Sequence, residues 1–211
     1  LVGAGRTEVM ESVFGVTRPD SGKIYFKGEE IHHHTPTQMM DKGLGMLPEN
    51  RQKEGLLLAW SINHNISLSV LHDCQQGIFV NTGKEYALSN RMKDLLAIKA
   101  PTTDTHAGAL SGGNQQKVVV AKQLAANPQV IILDEPTKGV DVGSKAAIYE
   151  IMSDLASQGL GILMISSELP EVINMSDRVY VMSEGKVTAE FTETKGLTQD
   201  TILHAAMSQS K

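Results

Sequence analysis

Val130-Ile131-Ile132-Leu133-Asp134-Glu135-Pro136 decides how this chain is read. Four consecutive apolar residues suit a strand buried on both faces. They end in two adjacent carboxylates, and a proline closes the run. In an open α/β sheet, ligands gather at the carboxyl ends of strands. Asp134 there suits Mg²⁺, which takes oxygen ligands and keeps several waters. Glu135 is placed to orient or deprotonate an attacking water. The bland alternative is a strand that ends in solvated acids.

Downstream, strand and helix alternate. Residues 144–156 carry Ile148, Ile151, Met152 and Leu155 on one helical stripe. Gly161-Ile162-Leu163-Met164-Ile165 reads as a second buried strand. A short helix follows over 169–175. Two strands then flank Ser183-Glu184-Gly185-Lys186 as a hairpin, and Thr198 caps a last helix that runs to Met207. Upstream, 43–47 is a strand, 21–28 is one arm of a hairpin, and 7–14 is a short helix closed by Gly15. Residues 61–126 read as mostly helical, with helices over 86–96 and 114–126. The type of 65–71 stays open, because its apolar residues fit both spacings. The alternation implies an α/β domain with a mostly parallel sheet covered on both faces.

Two further motifs precede the carboxylates. Leu110-Ser111-Gly112-Gly113-Asn114-Gln115-Gln116 joins a capping serine to two glycines at a helix start. Such a start presents N–H groups to an anion. It lies 23 residues before Asp134. Val2-Gly3-Ala4-Gly5-Arg6-Thr7 is a glycine-rich turn before a helix. It matches the end of the phosphate-loop pattern G-x-x-x-x-G-K-[ST], with Arg6 in the lysine position. Arginine keeps the charge but is forked and bulkier. By itself the turn is equally a plain glycine turn. The first glycine of the pattern would precede Leu1, as would the apolar strand that feeds such a loop, so the chain reads as a fragment lacking its first strand.

With these three motifs in order, the chain resembles the ATP-binding-cassette ATPases over essentially its whole length. Leu110 to Gln116 is similar to that family's signature motif, with Asn114 for the usual Gln. Val130 to Glu135 is similar to its metal-binding strand and catalytic glutamate. Gly139-Val140-Asp141 is similar to the loop that meets a partner cassette. The longer strings Leu-Ser-Gly-Gly-Asn-Gln-Gln-Lys, Asp-Glu-Pro-Thr-Lys-Gly-Val-Asp-Val-Gly and Ile-Ser-Ser-Glu-Leu-Pro-Glu-Val resemble the second cassette of ribose- and galactose-type importers.

The resemblance implies a phosphate-loop NTPase fold over 1–211 as one domain. It would carry an antiparallel β subdomain and a helical signature subdomain over about 61–126. It implies ATP and Mg²⁺ as cofactors. Glu135 would be catalytic, Gly3, Ala4, Gly5, Arg6 and Thr7 would bind ATP, and Asp134, Thr7 and Glu49 would hold the metal. Ser111, Gly112, Gly113, Asn114 and Gln115 would serve the ATP of a partner cassette. Ser167 and Asp141 would form the switch and the partner-facing loop. Three positions depart from the family pattern: Arg6 for Lys, Glu49 for a metal- and water-binding Gln, and Ser167 for a His that contacts the γ-phosphate. The implied function is an ATPase domain that powers monosaccharide import and completes its partner's site, with its own site degenerate. The alternatives are a silent regulatory or structural cassette and a non-transport ATP-binding-cassette ATPase. The implied partners are a first cassette in the same polypeptide or a second copy, transmembrane permease subunits and, indirectly, a periplasmic sugar-binding protein. The implied location is peripheral, on the cytoplasmic face of the bacterial inner membrane. Lys53 and Glu54 would lie in the loop that meets the membrane subunits.

Composition bears on the other classes. The net charge of −5 from 24 acids and 19 bases argues against nucleic acid as a partner. No long coiled-coil insertion separates Arg6 from Ser111, as a cassette acting in DNA repair would have. One cysteine, Cys74, excludes an internal disulfide and reads as an inert thiol. No stretch is long and apolar enough to span a membrane, and no secretory leader is visible. His32-His33-His34 reads as a solvated run, because successive residues rarely converge on one ion.

Overall fold

The computed structural model describes residues 3–207. In chain order these form α1 (Arg6–Phe14), β1 (Ile24–Phe26), β2 (Glu29–Ile31), α2 (Pro36–Asp41), β3 (Leu44–Leu47) and a single π-helical turn, Arg51–Gly55. There follow α3 (Ile62–Ser67), β4 (Gln75–Gln76), β5 (Phe79–Val80), α4 (Thr82–Leu95) and α5 (Gly112–Leu124). The last stretch holds β6 (Val130–Asp134), α6 (Val142–Ser157), β7 (Gly161–Ile165), α7 (Leu169–Met175), β8 (Val179–Ser183), β9 (Lys186–Phe191) and α8 (Gln199–Met207). Two compact units result: Thr37–Leu163, and one built from the segments on either side of it, Leu1–Pro36 and Met164–Lys211.

The three-stranded sheet has the order β3-β6-β7; β3, β6 and the start of β7 belong to the unit Thr37–Leu163. β3 and β6 are parallel, in register from Leu44↔Val130 to Leu47↔Leu133. Every residue of β3 is buried, as is β6 from Ile131 onward. The double-sided burial expected of the apolar run in β6 is therefore found. It is not found in β7, whose residues alternate between exposed and half-covered before Ile165. A continuous apolar run does not by itself say how far each face of the strand is covered.

The helical stretch expected over 61–126 contains α3, α4 and α5. The segment left open, 65–71, is the end of α3 running into a 3₁₀ turn over Leu68–Val70. The small β4–β5 hairpin was not anticipated, because Gln75 and Gln76 are polar and exposed and each strand has two residues. α4 starts earlier than its apolar stripe suggested. Its cap is Asn81, whose side chain accepts from Lys84 N–H, and its first turn is polar. The interior here is partly polar but paired. Ser67 Oγ donates to Glu85 Oε1 at 2.6 Å, and Ser89 Oγ to Asn63 Oδ1 at 2.6 Å. Asn65, fully buried, does most. Its Oδ1 accepts from Leu57 N–H at 2.8 Å, and its Nδ2 donates to the carbonyls of Leu57 at 3.0 Å and Ser61 at 2.9 Å. One side chain thereby satisfies a loop that has no secondary structure of its own.

In the second unit, β8 and β9 form the expected hairpin. Its tip, Glu184-Gly185, has φ of 49° and 76°, the two positive values that a tight two-residue turn needs. Val179, Val181, Ile202 and Ala206 make a small core there with Leu169, Val172 and Phe191. Thr198 Oγ1 accepts from Thr201 N–H at 3.2 Å, which is the expected cap of α8. The histidine run is not uniformly solvated. His34 Nε2 lies 3.1 Å and 3.0 Å from the carbonyl oxygens of Ser12 and Val13, so the ring donates into the last turn of α1. Carbonyls in the last turn of a helix lack the usual i→i+4 partner; Ser12 also accepts from the cap Gly15 N–H at 3.3 Å, and the ring N–H adds to this.

Asn65→Ala leaves the Leu57 N–H without its acceptor. The expected cost is about 2 kcal/mol, read as roughly thirtyfold faster amide hydrogen exchange at Leu57.

Candidate functional site

The loop that leaves β6 carries the first group of residues. Asp134 is fully buried at the end of the strand. Glu135 follows in the left-handed region, with φ 47°. A non-glycine residue there costs about 1 kcal/mol, and such strain concentrates at functional positions. The turn is closed by Lys138 N–H donating to the Glu135 carbonyl at 3.0 Å. Because β3 runs parallel beside β6, the segment after Leu47 emerges next to this loop. The two segments are tied together. Lys138 Nζ forms an ion pair with Glu49 Oε1. Arg51 donates through Nη1 to the Lys138 carbonyl at 2.6 Å and through Nη2 to the Gly139 carbonyl at 2.9 Å. The hydrogen bond and charge of Glu49 hold the Lys138 ammonium above its ordinary pKa, and the charges of Glu135 and Asp134 add to this.

The start of α5 carries the second group. Ser111 is the N-cap and accepts from Asn114 N–H. The Asn114 side chain is used locally: Nδ2 donates to Ser111 Oγ at 3.0 Å, and Oδ1 accepts from Lys99 N–H at 2.8 Å. Gln115 is buried, donates to the Ala107 carbonyl at 3.3 Å and accepts from Gln52 Nε2 at 3.0 Å. Ser111 is therefore the exposed polar group of the motif, while Asn114 and Gln115 brace it. Gly113 is sterically required, and Gly112 is closely approached. A Cβ on Gly112 would stand 2.9 Å from Arg51 Nη2 and 3.2 Å from the Gly139 carbonyl. One on Gly113 would stand 2.2 Å from Ser144 Oγ. Ser144 in turn donates to Asp141, the N-cap of α6, through its N–H at 3.0 Å and its hydroxyl at 2.6 Å. Those bonds hold the Asp141 carboxyl below the usual carboxylate range.

The remaining candidates lie in the other unit. Gly3 and Gly5 have φ of 76° and 84°, and Gly5 begins α1 without a side-chain cap. The Ala4 carbonyl accepts from Gly185 N–H at 3.0 Å, and a Cβ on Gly5 would come within 3.0 Å of Gly185 Cα. Arg6 Nη1 donates to the Ser166 carbonyl at 2.6 Å, so part of its fork is engaged by backbone beside Ser167. Thr7 follows in the first turn of α1.

Glu49, Ser111 to Gln115, Asp134, Glu135 and Asp141 thus share one unit, and Gly3 to Thr7 and Ser167 share the other. Arg51, Lys138 and Ser144 were not singled out as functional residues from the sequence. The adjacency of β3 and β6 was the available signal for the first two, since residues that follow neighbouring parallel strands meet. Nothing local marks Ser144. Lys53 and Glu54 lie in the π-helical turn, where Asn50 caps Lys53 N–H. Cys74 is buried, and its thiol pKa is pushed up by desolvation and by Glu85 and Asp73, which keeps it protonated and unreactive.

A family profile described as ABC transporter matches residues 2–138. Among curated proteins, a ribose import ATP-binding protein of Geobacillus kaustophilus is 49% identical over 206 residues, covering 98% of this chain and 42% of its own length. A putative ribose/galactose/methyl galactoside import ATP-binding protein of Rhizobium etli is 47% identical, covering 98% of this chain and 39% of its own length. The chain thus spans about two fifths of the relatives it matches. Among solved structures, an ATP-binding cassette of an ABC transporter aligns with a TM-score of 0.83 at 22% identity, over 98% of this chain and 85% of its own. The protein cbiO1 of Clostridium perfringens aligns at 0.78 and 20%, over 97% and 79%. These likenesses bear out the α/β phosphate-loop NTPase fold.

Gly113→Ala must displace Ser144 or separate α5 from α6. It is expected to cost about 1–3 kcal/mol, seen as a lower thermal midpoint. Ser144→Ala removes the hydroxyl and leaves the backbone N–H, so the Asp141 pKa is expected to rise toward the ordinary carboxylate value in an NMR titration. An unchanged Asp141 titration would contradict that assignment.

Proposed function

Because this chain belongs to the ABC transporter family, we propose that it is an ATP-hydrolysing cassette that powers import of a monosaccharide into a bacterial cell. The observation that carries this reading is the joint presence, in one unit, of the Ser111-capped start of α5 and the Asp134-Glu135 end of β6. The names of the relatives support the cargo class.

In this reading Glu135 orients the attacking water and takes its proton as the γ-phosphoryl bond breaks. Bound Mg²⁺ offsets the charge of the phosphates, with Asp134 suited to hold it through water and Thr7 through its hydroxyl. Glu49 offers less as a ligand, because its carboxylate already carries the Lys138 ammonium. Gly3, Ala4, Gly5 and Arg6 cradle the phosphates. Ser111 and the N–H groups of Gly112 and Gly113 face the ATP of a partner cassette, with Asn114 and Gln115 bracing them, and Asp141 and Ser167 border the exchange. The partner is a first cassette in the same polypeptide or a second copy. The matched relatives are more than twice as long as this chain, which leaves room for the former. Permease subunits bind the assembly, and a periplasmic sugar-binding protein acts through them. The location is peripheral, at the cytoplasmic face of the inner membrane. Among the described residues no helix is long and apolar enough to cross a membrane. Nucleic acid is not a partner on this reading, in line with the net charge of −5.

The cassette's own site is the weaker one. Arg6 spends an N–H on the Ser166 carbonyl, and Glu49 stands in an ion pair. Those two observations also favour the second reading, a silent cassette that only supplies Ser111 to its partner.

Steady-state ATP hydrolysis by the full-length protein with its transport partners separates the two. Ser111→Arg is expected to abolish turnover in both readings. Glu135→Gln is expected to slow turnover at least tenfold if this chain's own site hydrolyses ATP. Near-intact turnover in Glu135→Gln would establish the silent cassette, and unaffected turnover in Ser111→Arg would sink both readings.

A further inference from the structure

Three carboxylates gather where β3 and β6 end. The register Leu47↔Leu133 sends Pro48-Glu49 out beside Asp134-Glu135. The chain then turns back on itself at Lys138, whose N–H meets the Glu135 carbonyl at 3.0 Å. Its ammonium reaches across to Glu49 and is paired there. The same ammonium lies in the field of Glu135 and Asp134. Its backbone is not free to carry it elsewhere, because Arg51 grips the carbonyls of Lys138 and Gly139 at 2.6 Å and 2.9 Å.

This arrangement does little for folding. The two paired side chains are 59% and 42% exposed, and ion pairs of that kind add little to stability. What remains is the charge itself. A nucleoside triphosphate brought to the carboxyl ends of these strands meets three acids, the Lys138 ammonium paired with one of them, and the Arg51 guanidinium held on the Lys138 and Gly139 carbonyls. At such short range, losing one unit of positive charge changes the attraction for a polyanion considerably.

We propose that Lys138 is an internal counter-ion for the nucleotide site: it cancels the charge that Glu49 brings there, so that an incoming triphosphate is not repelled by a third carboxylate beside Asp134 and Glu135. Glu49 and Lys138 then act as one neutral unit, with Arg51 as its positioning residue. The inference rests on the reading that this chain binds nucleotide.

The test is photolabelling of the full-length protein with 8-azido-ATP, quantified in peptides from this chain, with Mg²⁺ and with EDTA. The ratio of half-saturating concentrations, EDTA over Mg²⁺, is the readout. Lys138→Met is expected to raise that ratio about tenfold over the parent. Lys138→Arg, which keeps the charge, is expected to leave it near the parent value. The double variant Glu49→Gln/Lys138→Met is expected to return it to within about threefold, because both charges leave together. A purely structural Lys138 would not be rescued in this way. An unchanged ratio in Lys138→Met, or a double variant no better than the single, overturns the inference while nucleotide binding stands. Absence of labelling of this chain in the parent, even with Mg²⁺, overturns nucleotide binding and this inference with it.

Discussion

The parallel pairing of β3 with β6 is the constraint on which the candidate site in the unit Thr37–Leu163 depends. Two parallel neighbours cannot be joined by a short turn, so a long crossover must connect their opposite ends. Here the crossover contains α3, α4 and α5. The same parallel sense makes both strands discharge their next residues at one edge. Glu49, Arg51, Asp134, Glu135 and Lys138 become neighbours for that reason, although the hydrogen bonds between them span 87 to 89 positions in sequence.

The polar residues near that edge fall into two kinds. Asn114 and Gln115 are spent on backbone and neighbouring side chains, and they hold the segments that pass beside the start of α5. Ser111 and Glu135 are held in place by such bonds while remaining accessible in part. The expense of burying polar groups is offset only when each finds a partner, and the first kind supplies partners so that the second can face outward. The strained backbone of Glu135 fits this division, since the turn through Lys138 and the grip of Arg51 hold it there.

Much of the fold was legible because its signals are local. The apolar run of β6, the glycine-ended helix α1 and the Glu184-Gly185 hairpin each depend on residues adjacent in sequence. The elements that were misread depend on what lies elsewhere. The exposure of β7 depends on what packs against its faces, which its own apolar residues do not encode. The β4–β5 hairpin has no apolar alternation to detect. His34 has its role only because the end of α1 is nearby. The candidate site divides in the same way. Ser111, Asp134 and Glu135 sit in strings with a recognisable order, whereas Arg51 and Ser144 act through contacts that no spacing rule announces.

The contact between Gly113 and Ser144 has a mechanical meaning. The first turns of α5 and α6 are separated by no more than a hydroxyl, and that hydroxyl is already committed to Asp141. There is no slack at this junction for one helix start to tilt while the other stays still. The two helix starts behave as a single bearing, with Ser111 on one side and Asp141 on the other. A tilt of the α5 start that carries Ser111 would therefore press first on Ser144 and, through its hydroxyl, on Asp141.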